Sequence, residues 1–210
     1  MVGHAPSSSL QTDRQADTSP RVHIVNIVTL PDGTRWATDV AFGGDGPTEP
    51  IELRHGASIL NLGTQTARLV RGFTPFQTET DDPERALWIY ECRNGGEAAP
   101  WNAFYCFSDK VEWCAADYEV CNWFTSCSPD SFQTTTVLVV KFLRREGSDE
   151  IYGKRMLVNG LVKENLGGKT RLVQECRTEG ERVQALREWF GLELTEEETK
   201  AIEGFQTALN

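Results

Sequence analysis

His23 and Asp39 are the two side chains whose types and spacing most invite chemistry. Both lie in "HIVNIVTLPDGTRWATDVAFG" (residues 23–43), two apolar-rich stretches joined by Pro31-Asp32-Gly33. A carboxylate that accepts a hydrogen bond from one imidazole nitrogen fixes the tautomer and leaves the other nitrogen to act as a base. Whether the two meet depends on register. A two-residue Asp-Gly loop sets residue 23 opposite 42 and sends His23 and Asp39 to opposite faces. In a three-residue loop, Pro31 presets φ and Gly33 takes the left-handed position, which pairs 30 with 34 and 23 with 41. Asp39 is then the diagonal cross-strand neighbour of His23, on the same face and within reach. On spacing alone, a buried histidine satisfied by a nearby carboxylate is the commoner case.

The elements that must position the pair are mostly strands. After the hairpin (22–42) comes the punctuation "GGDGPTEP". Short aromatic or β-branched stretches follow at 51–53, 67–70, 86–92 and 101–107, spaced as in an antiparallel barrel or sandwich. "AADYEVCNWF" (115–124) reads as a short helix ended by "TSCSPDS", and "TTTVLVVKFL" (134–143) as a strong strand. Two more strands are expected near 151–158 and 170–176. Thr178 with Glu181, and Thr195 with Glu198, open two C-terminal helices as capping boxes, and Gly191 closes the first. The design is α+β.

Bulk properties narrow the function. A net charge of −10 over 210 residues argues against a nucleic-acid binder, which needs a basic face. No stretch approaches the roughly 20 apolar residues of a membrane helix. Without a signal-peptide core or an Asn-x-Ser/Thr site, the expected compartment is the cytosol. Cysteines occur at 92, 106, 114, 121, 127 and 176 with no Cys-x-x-Cys spacing, so zinc is not indicated and free thiols are expected. Residues 1–20 read as a disordered lead or loop.

The wording around the pair closely resembles the arylamine N-acetyltransferase family. There a His opens a strand of the type His-x-x-Asn-x-Val, as His23 heads "HIVNIV", and an Asp opens Asp-Val-Gly-Phe-Gly, as Asp39 opens "DVAFG". "NWFTSCSPDSF" (122–132) resembles the family's Asn-x-x-x-x-Thr-Ser-Pro region. "GGKT" (167–170) with the "TEGERVQALREWFGL" helix resembles the C-terminal lid of fungal-type members. The resemblance implies an antiparallel β-barrel (21–114), an interdomain helix with a coenzyme-binding loop (115–132) and an α/β lid with two C-terminal helices (133–210). That is the family's cysteine-proteinase-like fold without its N-terminal helical domain. It further implies acetyl transfer from acetyl-CoA, as co-substrate, to an arylamine or hydrazine through a Cys-His-Asp triad. His23 is the implied base and Asp39 its orienter; Phe42 and Val22 line the acceptor pocket, and Phe124, Ser128 and Asp130 meet the coenzyme.

The departures are as informative. The family's nucleophile lies in Arg-Gly-Gly-x-Cys upstream of the histidine, yet no cysteine precedes His23. Ala41 replaces a Gly of the motif, and Asp130 adds a negative charge where the family often has a neutral hydroxyl. Cys106 reads as core; Cys127 falls in the coenzyme-like loop. The expectation is a truncated family member, inactive alone. The alternatives are a non-catalytic binding module paired with a full-length relative, and a transglutaminase-like thiol enzyme, which the 122–132 segment disfavours. Without the helical domain, the face bearing the pair is expected to promote self-association.

Overall fold

The computed structural model describes residues 23–40, 42–75 and 77–209. Among them, strands form three antiparallel sheets. The first joins β1 (Asn26–Thr29), β2 (Arg35–Thr38) and β3 (Ile51–Glu52). The second is a meander of β4 (Ser58–Leu60), β5 (Gln65–Gly72), β6 (Leu87–Asn94) and β7 (Asn102–Phe107). Helix α1 (Ala115–Cys127) and the single turn α2 (Phe132–Thr135) lead to the third sheet. It orders β8 (Leu138–Arg144), β9 (Ile151–Val158), β10 (Leu161–Asn165) and β11 (Arg171–Glu175) as β11-β10-β9-β8. Helix α3 (Glu179–Ala185) runs through a π turn to Phe190, stops at Gly191 in the left-handed region, and is followed by α4 (Glu196–Lys200).

Period-two alternation builds the first core. Ala67 and Leu69 of β5 and Trp88, Tyr90 and Cys92 of β6 all point inward, against Ala37 and Ile51 of the first sheet. Burying a side chain such as Leu69 contributes about 2 kcal/mol. The second core sets Leu157 and Val162 against Ala185, Leu186 and Phe190 of the α3 segment.

Three sequence expectations need correction. The strands do not close into a barrel: the sheets are open, ending on β1 and β3 and on β4 and β7. β3 and β4 span two and three residues, and Pro50, with no N–H for a ladder, immediately precedes β3. Second, the strand expected from 134 starts at Leu138. The Ser131 hydroxyl accepts from Gln133 N, and the hydroxyls of Thr134 and Thr135 donate to the Ser131 carbonyl, so these β-branched residues close a turn instead. The last helix is also shorter than its pattern, since α4 stops at Lys200 and Gly204 adopts a positive φ of 84°.

Two joints tie the third sheet to the others, one to the β4–β5 turn of the second sheet and one to the β2–β3 loop of the first. Gly63 and Gly167 meet so closely that a Cβ on Gly63 would lie 2.1 Å from the Gly167 Cα, and Thr64 Oγ1 donates to Gly167 O at 3.0 Å. The other is a buried ion pair, Lys154 Nζ to Asp45 Oδ1 at 2.8 Å.

Glu164 is a third buried charge, its side chain 5% exposed, accepting from Arg155 Nε at 2.8 Å and Arg171 Nη2 at 2.7 Å. Arg171 first, then Arg155, holds its carboxyl below the usual range against the opposing effect of burial. A depressed carboxylate contributes stability that is present above its unfolded pKa and is lost as pH falls through the folded value. At neutral pH, Glu164→Gln should melt below the wild type, and the gap should close as the pH drops below about 4. Paired thermal melts over pH 3–7 check this; a constant gap would contradict it.

Candidate active site

The hairpin forms with the register that Pro31-Asp32-Gly33 implies. Asn26 pairs with Thr38 and Thr29 with Arg35, and Leu30 N donates to Thr34 O at 2.8 Å across the turn. Gly33 has φ 86°, and Asp32 Oδ1 accepts from both the amide and the hydroxyl of Thr34. The ladder is shorter than the sequence suggests, so His23 and Asp39 lie just beyond its open end, where their side chains turn toward each other. His23 Nε2 and Asp39 Oδ2 are 2.7 Å apart. The His23 side chain is 23% exposed and that of Asp39 only 2%. A carboxylate only accepts, so Nε2 carries the proton and Nδ1 is the basic nitrogen.

Aromatic rings cage the imidazole. Phe42 meets it edge-on with centroids 5.2 Å apart, and Tyr105 lies tilted at 5.0 Å. The Tyr105 hydroxyl also hydrogen-bonds Asp39; burial first, then the negative charge of Asp39, pushes its pKa up and keeps it a donor. Tyr90 stacks on Tyr105 at 4.8 Å, and its hydroxyl donates to the Asp45 carbonyl at 2.9 Å. The Cys92 thiol donates to the Tyr90 oxygen at 3.1 Å, and burial pushes its pKa up to about 12, so it stays protonated and unreactive near neutrality.

Asp39, Val40 and Phe42, together with Gly43, Gly46 and Pro47, face Leu138, Val140 and Phe142 of β8 across an open groove of about 350 Å³. A larger groove, about 590 Å³, runs along Val28, Trp36, Ile51 and Ile59 and includes neither member of the pair. The chemistry and the larger groove are therefore in different places.

His23, Asp39 and Phe42 lie together. Val22 lies outside the described residues. Phe124, Ser128 and Asp130 sit at the C-terminal end of α1 and in the following turn, whose hydrogen bonds close on the segment itself: Ser128 N to Phe124 O, Asp130 N to Ser128 Oγ, and Thr134 Oγ1 to Ser128 O. Tyr105 and Tyr90 escaped the sequence reading because aromatic strand residues read as core, which they also are. Cys92 and Cys176 are buried, and Cys114 and Cys127 are exposed. No helix among the described residues is long and apolar enough to cross a membrane.

A sequence profile described as N-acetyltransferase matches residues 5–199. This chain belongs to the arylamine N-acetyltransferase family. Two curated relatives are named N-malonyltransferase FDB2. One, from Fusarium pseudograminearum (strain CS3096), is 35% identical over 189 residues, covering 86% of this chain and 53% of the relative. The other, from Gibberella moniliformis, is 33% identical over 185 residues, covering 86% and 52%. The chain thus spans about half the length of the curated relatives it matches. Among solved structures, the arylamine N-acetyltransferase from Mycobacterium abscessus superposes with a TM-score of 0.69 at 25% identity, covering 89% of this chain and 60% of that one. The Mycobacterium marinum enzyme in complex with CoA gives 0.63 at 23%, covering 85% and 57%, a likeness of fold.

Proposed function

We propose that this chain carries the base and orienter of an N-acyltransferase that moves an acyl group from acyl-CoA to an arylamine or hydrazine nitrogen. The observation that carries the reading is the 2.7 Å bond from His23 Nε2 to Asp39, which leaves Nδ1 basic, while Asp39 itself lies on the wall of an open groove. His23 Nδ1 takes the proton of a cysteine thiol, and the thiolate attacks the thioester carbonyl and expels CoA as its thiol. The amine then attacks the acyl-cysteine, loses its proton by way of His23, and releases the amide with the cysteine restored. Asp39 holds the ring in one tautomer throughout and stabilises the imidazolium that forms.

The aromatic acceptor lies against Phe42 and the β8 side chains, while Phe124, Ser128 and Asp130 lie on the coenzyme side. In this reading the first two sheets correspond to the family's central domain and the third sheet with α3 to its lid. The thiol in this reading is not Cys92, which is buried and protonated, and no cysteine stands at the family motif's place before His23. Free cysteines suit a cytosolic setting. Exposed apolar side chains, Val40 at 98% and Trp123 at 66% among them, favour self-association of the isolated chain.

One assay tests the reading. The chain alone, given acetyl-CoA or malonyl-CoA and an aniline-type acceptor, should release no free CoA thiol above background. The two donors are run in parallel because the curated relatives are named malonyltransferases. Fusion to an N-terminal helical domain that carries the family's Arg-Gly-Gly-x-Cys motif should give turnover, and His23→Gln in the fusion should lower it by about 10³-fold or more. Turnover that survives His23→Gln would overturn the assignment. Turnover by the unfused chain that requires His23 would favour one of its own six cysteines.

A further inference from the structure

We propose that Lys154, on β9, is a positioning residue for the His23–Asp39 pair, acting through the turn 43–46. The proposal deepens the reading of His23 as base and Asp39 as its orienter, and rests on it. The Lys154 side chain is 3% exposed. Its ammonium reaches out of the third sheet to bond the Gly44 carbonyl and the Asp45 carboxylate. An ammonium is an expensive group to bury, and a buried ion pair gives little stability beyond what an apolar pair of similar volume would give. What it does supply here is a fixed place for a short, glycine-rich piece of backbone.

That backbone directly follows the site. Gly46 N donates to Gly43 O at 3.1 Å, closing a turn that folds back onto Phe42: a Cβ on Gly46 would lie 3.2 Å from the Phe42 Cβ. The far end is pinned as well, because Gln65 Nε2 donates to Asp45 Oδ1 at 3.1 Å and Asn61 Nδ2 to Gly46 O at 3.0 Å. Two routes then run from Asp45 to Asp39. One follows the chain back through Phe42, whose ring touches both His23 and Tyr105. The other passes from the Asp45 carbonyl through the Tyr90 hydroxyl to the Tyr90–Tyr105 stack, and from the Tyr105 hydroxyl to Asp39. Both routes place the Asp39 carboxylate. Lys154 is the one direct side-chain bond from the third sheet into this arrangement among the hydrogen bonds described above. A strand some hundred residues downstream thereby sets which imidazole nitrogen is basic.

The test reads the tautomer, not the chemistry. In ¹⁵N-labelled chain at about pH 8, where a free imidazole is neutral, long-range ¹H–¹⁵N spectra should show His23 held as the Nε2–H form; His23→Gln identifies its signals. Lys154→Met should shift these signals to the averaged pattern of a free imidazole, and Lys154→Arg should largely restore the fixed form. If Lys154→Met does not fold, the double variant Lys154→Met/Asp45→Asn, which leaves no charge at this joint, gives the reading: a folded double variant with averaged tautomers supports the proposal. A fixed Nε2–H form in the folded double variant would overturn it. So would failure of the double variant to fold, since Lys154 would then support the fold and not the site. Acyl transfer that ignores His23 would sink the functional reading and leave this result standing, so the two can fail separately.

Discussion

Lys154→Met should lower the stability of the folded chain by about 3–5 kcal/mol, the usual cost of leaving one buried charge without its partner. Asp45 keeps the amide of Gln65 but loses the cation at 2.8 Å, in a place where its side chain is only 11% exposed. For a domain of this size such a loss lowers the melting temperature by roughly 10 °C. The double variant Lys154→Met/Asp45→Asn should regain most of it, because neither member of the pair then carries a charge. A thermodynamic cycle over the two singles and the double isolates the coupling. Additive losses would mean that the two side chains do not act as a pair. The glycine joint, Gly63 on Gly167, ties the third sheet to the second without charge.

The site was legible in the sequence to the extent that its geometry is local. Pro31, Asp32 and Gly33 specify a three-residue turn, a turn specifies register, and register places Asp39 beside His23. The 2.7 Å contact follows from those residues. The partners that complete the site are not local. Tyr105 reaches Asp39 by way of the β5–β6–β7 meander, and Lys154 stands 109 residues from Asp45. No periodicity marks either one, since an aromatic in an aromatic strand looks like core and a lysine in a strand looks like a solvated edge.

Some of the misses did have a signal. β10 is joined to β9 by Asn159-Gly160, with Val158 opposite Leu161 and Asn159 at φ 53°. An Asn-Gly pair between apolar runs is a strong mark of a tight hairpin. The start of β8 was misplaced because three consecutive threonines favour a strand by propensity. The Ser131 cap outweighs that preference by offering their hydroxyls a carbonyl to bond. Barrel closure was beyond local reading altogether, because it depends on whether strands as short as β3 and β4 pair on both edges.

Asp39→Asn is the change that bears most directly on the central claim, that Asp39 selects the tautomer that makes Nδ1 of His23 a base. Asparagine keeps the shape of the side chain, but its amide can donate to Nε2 and so stabilise the wrong tautomer, with the proton on Nδ1. In the cysteine-completed fusion, the rate of acyl-CoA-dependent amide formation should fall by about 10⁴-fold at neutral pH, with the melting temperature little changed. A folded Asp39→Asn protein that keeps its rate within about tenfold of the unsubstituted fusion, a difference of only 1.4 kcal/mol in barrier, would contradict the account.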